Sequence, residues 1–480
     1  QNFSAYLRDS WSIGWAPGLV LNAGVRWEGQ ELYGADGRRY IDIKDNWAPR
    51  IGLVYDFTQL TSRPGRSKVF FNYGRFYQSI PLNINDRQLT AEGMYSSGFV
   101  PGTDCDRVTL QPGGRAVPVP SANCQFLAAD GGVVNGGRAP LISPVVQGQY
   151  INEITLGVNY DVGLDIVLGV SYIHRDLGNI VEDMSPDGGT TYLLANPGVP
   201  SDPNVVKQLQ DEVDRLKPAG TAATAKVADQ LAYQDAVALL SAYKLVGSVF
   251  PKARRNYDAL VLTLNKRLSN RFSVISSYTY SRTLGNYPGT FSSSNGQSDP
   301  NISSQFDLID LLANRNGPLP TDRPHNFKAT AFYDQPVFGD KGKLTIGITF
   351  TATSGRPIEV LGRHPYYGRR EVYLLPRGSG GRTPTVTQFD LHVGYDHKLT
   401  QTVGMNLFVD VVNLFNQREV TNVDDEFTAS TVSPIVNGQI TDLKHLKANN
   451  GTLPTFNSNY GQPTGYQLPL FMRFGWRLTF

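Results

Sequence analysis

The chain is predicted to be all-β, a transmembrane antiparallel β-barrel. Three observations carry this. Apolar side chains recur at every second position. About thirteen such stretches come close to the roughly 9–11 residues that cross a bilayer as a tilted strand. The connections between them alternate short and long. In the last stretch Leu470, Met472, Phe474, Trp476, Leu478 and Phe480 face one way, while Phe471, Arg473, Gly475, Arg477 and Thr479 face the other. Leu164, Ile166, Leu168, Val170 and Tyr172 alternate with Asp165, Gly169 and Ser171 in the same manner. Leu344, Ile346, Ile348 and Phe350 do so against Thr345, Gly347 and Thr349, and Phe389, Leu391, Val393 and Tyr395 against Asp390, His392, Gly394 and Asp396. Period-two alternation means a sheet with one apolar and one polar face.

The predicted strands cover 3–13, 19–32, 48–58, 68–80, 149–161, 164–177, 258–269, 271–285, 325–335, 344–355, 386–399, 403–415 and 466–480. Between them, 14–18, 58–67, 162–163, 270, 335–343 and 400–402 are short, whereas 33–47, 81–148, 178–257, 286–324, 356–385 and 416–465 are long. Strict alternation is the pattern of periplasmic turns and extracellular loops in a bacterial barrel. A soluble propeller or sandwich has no reason to place every long excursion at one end. The final strand then runs toward the short-turn side, which puts Phe480 in the periplasm. An odd strand count cannot close a standard bacterial barrel, so further strands are expected upstream.

Composition narrows the alternatives. Forty-four basic and 42 acidic residues leave a net charge of +2, without the clustered positive charge of a nucleic-acid-binding surface. No run approaches the roughly 18 apolar residues of a spanning helix, which leaves barrels untouched. Gln1-Asn2-Phe3 enters directly into alternation without a signal peptide, so an upstream N-terminus is expected. Cys105 and Cys124 sit in one Pro- and Gly-rich stretch of 81–148 and fit a local disulfide in an oxidising compartment. Closing that loop would stabilise it by roughly 3 kcal/mol in the chain-entropy model.

Connection 178–257 contains a helical insertion. Asp202 as N-cap and Pro203 at the first helical position open one helix, with Val205, Leu209 and Val213 at helical spacing. A second, Ala-rich helix is expected over 222–243, with Val227, Leu231 and Leu239 on related faces. A small cap over its own loop is the structural reading, and a lid or docking surface the functional one.

Several segments together resemble the Oar-like branch of the TonB-dependent outer-membrane transporters. They are Asn2-Phe3-Ser4-Ala5-Tyr6-Leu7-Arg8-Asp9-Ser10-Trp11, Leu21-Asn22-Ala23-Gly24-Val25-Arg26-Trp27-Glu28, Ala48-Pro49-Arg50-Ile51-Gly52 and Tyr73-Gly74-Arg75-Phe76-Tyr77. Tyr257-Asp258-Ala259-Leu260 with Ser277-Tyr278-Thr279-Tyr280-Ser281 continues the series. Asp322-Arg323-Pro324-His325-Asn326-Phe327 followed by Ser354-Gly355-Arg356-Pro357 is the most telling pair, and Asn413-Leu414-Phe415-Asn416 and Phe480 are shared more widely. The resemblance implies a barrel of about 22 strands, of which 1–480 is the C-terminal part. It also implies an N-terminal plug upstream and coupling to the inner-membrane TonB complex through that upstream part. Phe474, Trp476, Leu478 and Phe480 resemble the C-terminal signal for outer-membrane insertion.

Arg26, Arg75, Glu153, Lys266, Arg282, Asp390, Asp410, Arg473 and Arg477 are expected on the lumen face. A charge facing mid-membrane lipid costs roughly 2–4 kcal/mol. Pairing with wall or plug groups is the plain role for these residues, and a substrate path the sharper one. Trp11, Trp15, Trp27, Trp47 and Trp476 suit interfacial girdles in outer-membrane lipid. Asp424-Asp425-Glu426 is a weak candidate for calcium in an extracellular loop. The six histidines show no metal-ligand spacing, and His325 is expected to anchor the rim. No catalytic constellation or cofactor motif stands out, so an enzyme is not expected. The functional expectation is TonB-dependent transport of a bulky substrate such as a peptide, protein or glycan. An exporter or surface assembly factor, and a passive porin, are the alternatives.

Overall fold

The computed structural model describes residues 1–34, 37–81, 94–96, 108–110, 116–118, 133–135, 141–189, 191–218, 227–292 and 304–480. Cys105 and Cys124 lie outside the described residues.

Thirteen long strands form one antiparallel meander in which each pairs with its neighbours along the chain. They are β1 (Asn2–Ser12), β2 (Leu19–Tyr33), β3 (Arg39–Tyr55), β4 (Ser67–Gln78), β5 (Gln149–Gly163), β6 (Ile166–Leu177) and β7 (Arg255–Ser269). The series continues with β8 (Phe272–Gly285), β9 (His325–Val337), β10 (Gly342–Thr353), β11 (Val386–Lys398), β12 (Gly404–Val412) and β13 (Phe471–Thr479). Among the described residues β1 and β13 each pair on one side only.

The register shows why the sheet is two-faced. Ala331, Ile348, Leu391, Val411 and Met472 form one row across five strands. The adjacent row is Phe332, Gly347, His392, Asp410 and Arg473, on the opposite face. On the apolar face Ile348, Met472 and Phe474 stay 50%, 54% and 72% exposed. An apolar surface of this extent suits lipid, not water. Phe415, Phe389, Phe350 and Phe327 contact one another in sequence near the long-connection end of that face, with centroids 5.1, 4.4 and 5.8 Å apart. They form part of an aromatic girdle.

The turns differ in detail from expectation. The hairpin of β5 and β6 turns at Leu164 and Asp165, and that of β7 and β8 at Asn270 and Arg271. All four have positive φ, which gives two-residue turns whose twist matches the strands. The expected long loop at 33–47 is largely strand, because β2 and β3 extend past the sheet with a five-residue connection at 34–38. Leu32, Ile41 and Ile43 on this tall hairpin are buried against Ile80, Val181 and Leu194, which explains its extension.

Within 178–257, α1 (Pro203–Leu216) begins as expected, with the Asp202 carboxylate accepting from the Asn204 amide. α2 (Val227–Val249) covers the described part of the expected 222–243 and ends later than expected. It runs beyond Tyr243 because Val246 and the following Phe250 join the same buried cluster. That cluster unites Val205, Tyr243 and Val246 of the helices with Leu177, Met184, Leu193, Tyr287 and Phe306. A second core of Val360, Val372, Leu374, Val432 and Leu443 joins connections 354–385 and 413–470.

Candidate functional site: the lumen wall and its folded mouth

The polar face carries ion pairs laid from strand to strand. Asp410 lies between its register partners His392 and Arg473. Its Oδ1 is 2.6 Å from His392 Nδ1, and its Oδ2 accepts from Arg473 Nε and Nη2 at 2.9 and 2.6 Å. Nearer the short turns, Lys343 stands 3.6 Å from Asp334 and 3.5 Å from Asp396, while Asn406 donates to Asp396. Arg477 is the register partner of Asn406. Glu153 accepts from Arg175 Nε at 2.6 Å, whereas Arg26 pairs with Glu28 within β2 at 2.5 Å. Asp390 shares this face but accepts from the Asn413 amide and the Gln388 side chain instead of a cation.

Three expected lumen residues lie on the other face. Arg75 has the parity of Tyr73 and Phe71 and sits 4.1 Å over the Tyr150 ring. Lys266 shares the row of Ile166 and Val274, and its ammonium reaches Ser269 Oγ and the Arg267 carbonyl. Arg282 has the parity of Tyr280 and Leu260. All three lie toward strand ends, where long side chains reach polar groups and the lipid cost of charge falls toward zero.

The two most telling motifs meet at the rim. The Asp322 carboxylate is fully buried, pairs with Arg382 and accepts from the Thr283 amide. Arg382 also donates to the Gly355 carbonyl. Gly355 has no room for a side chain, since a Cβ would sit 1.6 Å from the Thr383 carbonyl oxygen. The Ser354 amide donates to the His325 carbonyl and the His325 amide to the Ser354 hydroxyl, and the His325 ring takes a 2.7 Å contact with the Tyr278 hydroxyl on the apolar face. Asn413 and Asn416 turn with φ of 53° and 50°. The Asn413 side-chain Nδ2 donates to the Gln417 and Leu468 carbonyls, and the Asn416 side chain accepts from the Leu470 amide at the entry to β13.

The carboxylates of Asp424, Asp425 and Glu426 are taken up by arginines. Arg370 pairs with Asp424 at 3.1 Å, Arg356 with Asp425 at 2.8 Å, and Arg369 with Glu426 at 2.5 Å. These pairs replace the calcium coordination expected there, since guanidinium groups already neutralise the three charges. Phe474, Trp476 and Leu478 lie exposed along one face of β13, and Phe480 follows the strand.

At the long-connection end the polar face is covered. Gln149, Leu177, Ala259, Ser281 and Thr283 point inward by register and are 2–6% exposed, whereas Tyr280 and Leu284 beside them are 40% and 44% exposed on the apolar side. The covering segments are anchored to these strands: the Leu319 amide donates to the Thr283 carbonyl, the Ser281 hydroxyl to the Arg323 carbonyl, and the Val181 amide to Gln149. The long connections therefore fold over the lumen side.

Residues 29–365 match the family described as outer membrane beta barrel domain. The chain is also 33% identical, over 99% of its length, to the TonB-dependent transporter Oar of Myxococcus xanthus. It belongs to the outer membrane beta barrel domain family. It spans 42% of the length of that relative. Among solved structures, it aligns over 99% of its length with 44% of the outer membrane transporter YddB from Escherichia coli, at 10% identity and a TM-score of 0.46. It aligns over its full length with 42% of BauA, the ferric preacinetobactin receptor from Acinetobacter baumannii, at 11% identity and a TM-score of 0.45.

In this barrel of the outer membrane, the long connections are extracellular and carry two buried polar groups that sequence spacing does not reveal. Arg315 and Arg377 lie on the Tyr373 ring at 5.2 and 4.5 Å, beside Glu371 and Glu359. Burial lowers the pKa of Arg315 and raises that of Glu359. Glu182, Asp183 and Asp307 form the second group, drawn from two connections. Burial pushes the Asp183 carboxyl up to about 6, and burial with the nearby Asp183 charge raises Asp307 well above the carboxylate range. Since Asp307 is more than 120 positions from its partners, only tertiary packing brings the three together.

Proposed function

We propose that the chain supplies wall and extracellular mouth to a TonB-coupled transporter for a bulky substrate, a peptide, protein or glycan. The observation that carries this reading is the covered lumen face, where Leu177, Ala259, Ser281 and Thr283 are buried beneath folded connections. A passive pore works through an open mouth; a mouth closed by a cored cap calls for a gate and for energy to move it. The likeness to the transporter Oar supports the coupling, and α1 and α2 offer a folded surface large enough for a macromolecular ligand.

The test uses the full-length protein in its own outer membrane. Proteins, peptides and glycans that cross are compared in cells with and without it, before and after the inner-membrane proton gradient is dissipated. Transport that depends on both the protein and the gradient is expected. Passage that continues at the same rate without the gradient would contradict coupling and favour a passive pore.

A further inference from the structure

We propose that Glu182, Asp183 and Asp307 bind a calcium ion that fastens two extracellular connections to each other. Each carboxylate offers an oxygen, and the three oxygens lie within 4.8 Å of one another. One ion at the roughly 2.3–2.6 Å typical of calcium can reach oxygens up to about 5 Å apart. Magnesium, at roughly 2.0–2.1 Å in strict octahedral geometry, keeps several waters and suits a cluster of three protein carboxylates less well than calcium. All-oxygen donors also argue against zinc, which favours nitrogen and sulfur.

Two further observations point into the group. Asp307 is 8% exposed, and its Oδ1 is enclosed without a hydrogen-bond donor among the described residues. The Tyr287 hydroxyl, 1% exposed, faces Glu182 but makes no well-formed hydrogen bond among the described residues. A buried acceptor and a buried hydroxyl left in this state cost free energy unless something polar completes them. A hydrated calcium ion does both: the carboxylates ligate it directly, and its water meets the hydroxyl. Arg315 acts on Asp307 at longer range, but its Nη2 bonds the Glu371 carbonyl and its plane lies over Tyr373. Its guanidinium is therefore engaged outside the group.

The backbone around the group is already fixed for this role. Glu182 and Asp183 pair with Ala195 and Leu194 in a small sheet, and the Ser185 amide donates to the Asp307 carbonyl at 2.7 Å. The Tyr192 and Tyr367 hydroxyls meet at 2.8 Å, with Tyr367 beside Asp307, which brings connection 354–385 to the same place. The ion would thus hold the mouth in its covered arrangement, whatever the cargo.

The full-length protein, purified in detergent and stripped with chelator, is titrated with calcium by calorimetry and with terbium, whose luminescence neighbouring tyrosines sensitise. Saturable binding is expected, weakened tenfold or more in the Asp183→Asn/Asp307→Asn variant. In the unmodified protein calcium should slow hydrogen exchange at 180–185 and 304–308, a readout that needs no variant. Absence of binding to the unmodified protein, equal binding by a folded variant, or calcium-induced protection confined to other segments would each overturn the proposal.

Discussion

At the scale of single residues, the rim shows how a motif becomes geometry. Asp322 is fully buried and pairs with Arg382. Removing one partner of such a pair leaves an uncompensated buried charge, a loss of about 3–5 kcal/mol. Arg382→Met is expected to lower the unfolding midpoint of the folded barrel on heated gels and to speed hydrogen exchange at 319–325. Unchanged exchange there would mean that the pair does not hold the rim. Gly355→Ala should act in the same direction by about 1–3 kcal/mol, because its Cβ would meet backbone that cannot swing aside. Leu164 presents the opposite case. It is 85% exposed, with φ of 55°, a conformation that costs a leucine roughly 1–2 kcal/mol. Leu164→Asn should raise the midpoint, since asparagine tolerates this region. The residue-scale errors of the sequence reading have a common cause. Charge alone assigns Arg75, Lys266 and Arg282 to the lumen, yet charge carries no information about face near a strand end. Parity with Tyr73 and Phe71 already placed Arg75 outside.

At the scale of elements, strands were legible and their ends were not. Alternation located all thirteen, because lipid on one side and a polar lumen on the other impose period two. The tall β2–β3 hairpin escaped notice because its upper half packs on other connections and follows their core, not the bilayer. The turn after β3 offers a pH test. Hydrogen bonds from the Thr58 and Ser67 hydroxyls, with amides of Gly65 and Thr58, hold the Asp56 carboxyl well below the usual range. A lowered pKa in the folded state stabilises the turn above the unfolded value, near 4, and that contribution fades as pH falls through the folded value. Protection factors at Thr58, Gly65 and Arg66 should therefore fall with acidification, and Asp56→Asn should flatten the dependence. A profile identical in the variant would assign the stability of the turn to other groups.

At the scale of the whole molecule, the two-faced meander follows from local alternation, whereas the mouth depends on long-range packing. Helix signals at Asp202 and Pro203 were local and readable. The burial of Ala259 and Thr283 beneath distant connections, and the meeting of Asp307 with Glu182, were not, since no short-range pattern encodes them. The cap can be removed with little disturbance to the wall. Gly198 lies against Lys252, so joining them in place of 199–251 links points already in contact. The excised protein should still fold as a heat-resistant barrel but lose capture of its substrate; undiminished capture would assign recognition elsewhere.

This sheet is a membrane wall with lipid on one face and an aqueous lumen on the other. Spin labels placed singly along β12, with Cys105 and Cys124 replaced by serine in the full-length protein, test it most directly. Labels at 405, 407, 409 and 411 should be accessible to oxygen in the bilayer, and those at 406, 408 and 410 to a water-soluble relaxant. Accessibility without a two-residue period, or water contact on both faces, would contradict the account.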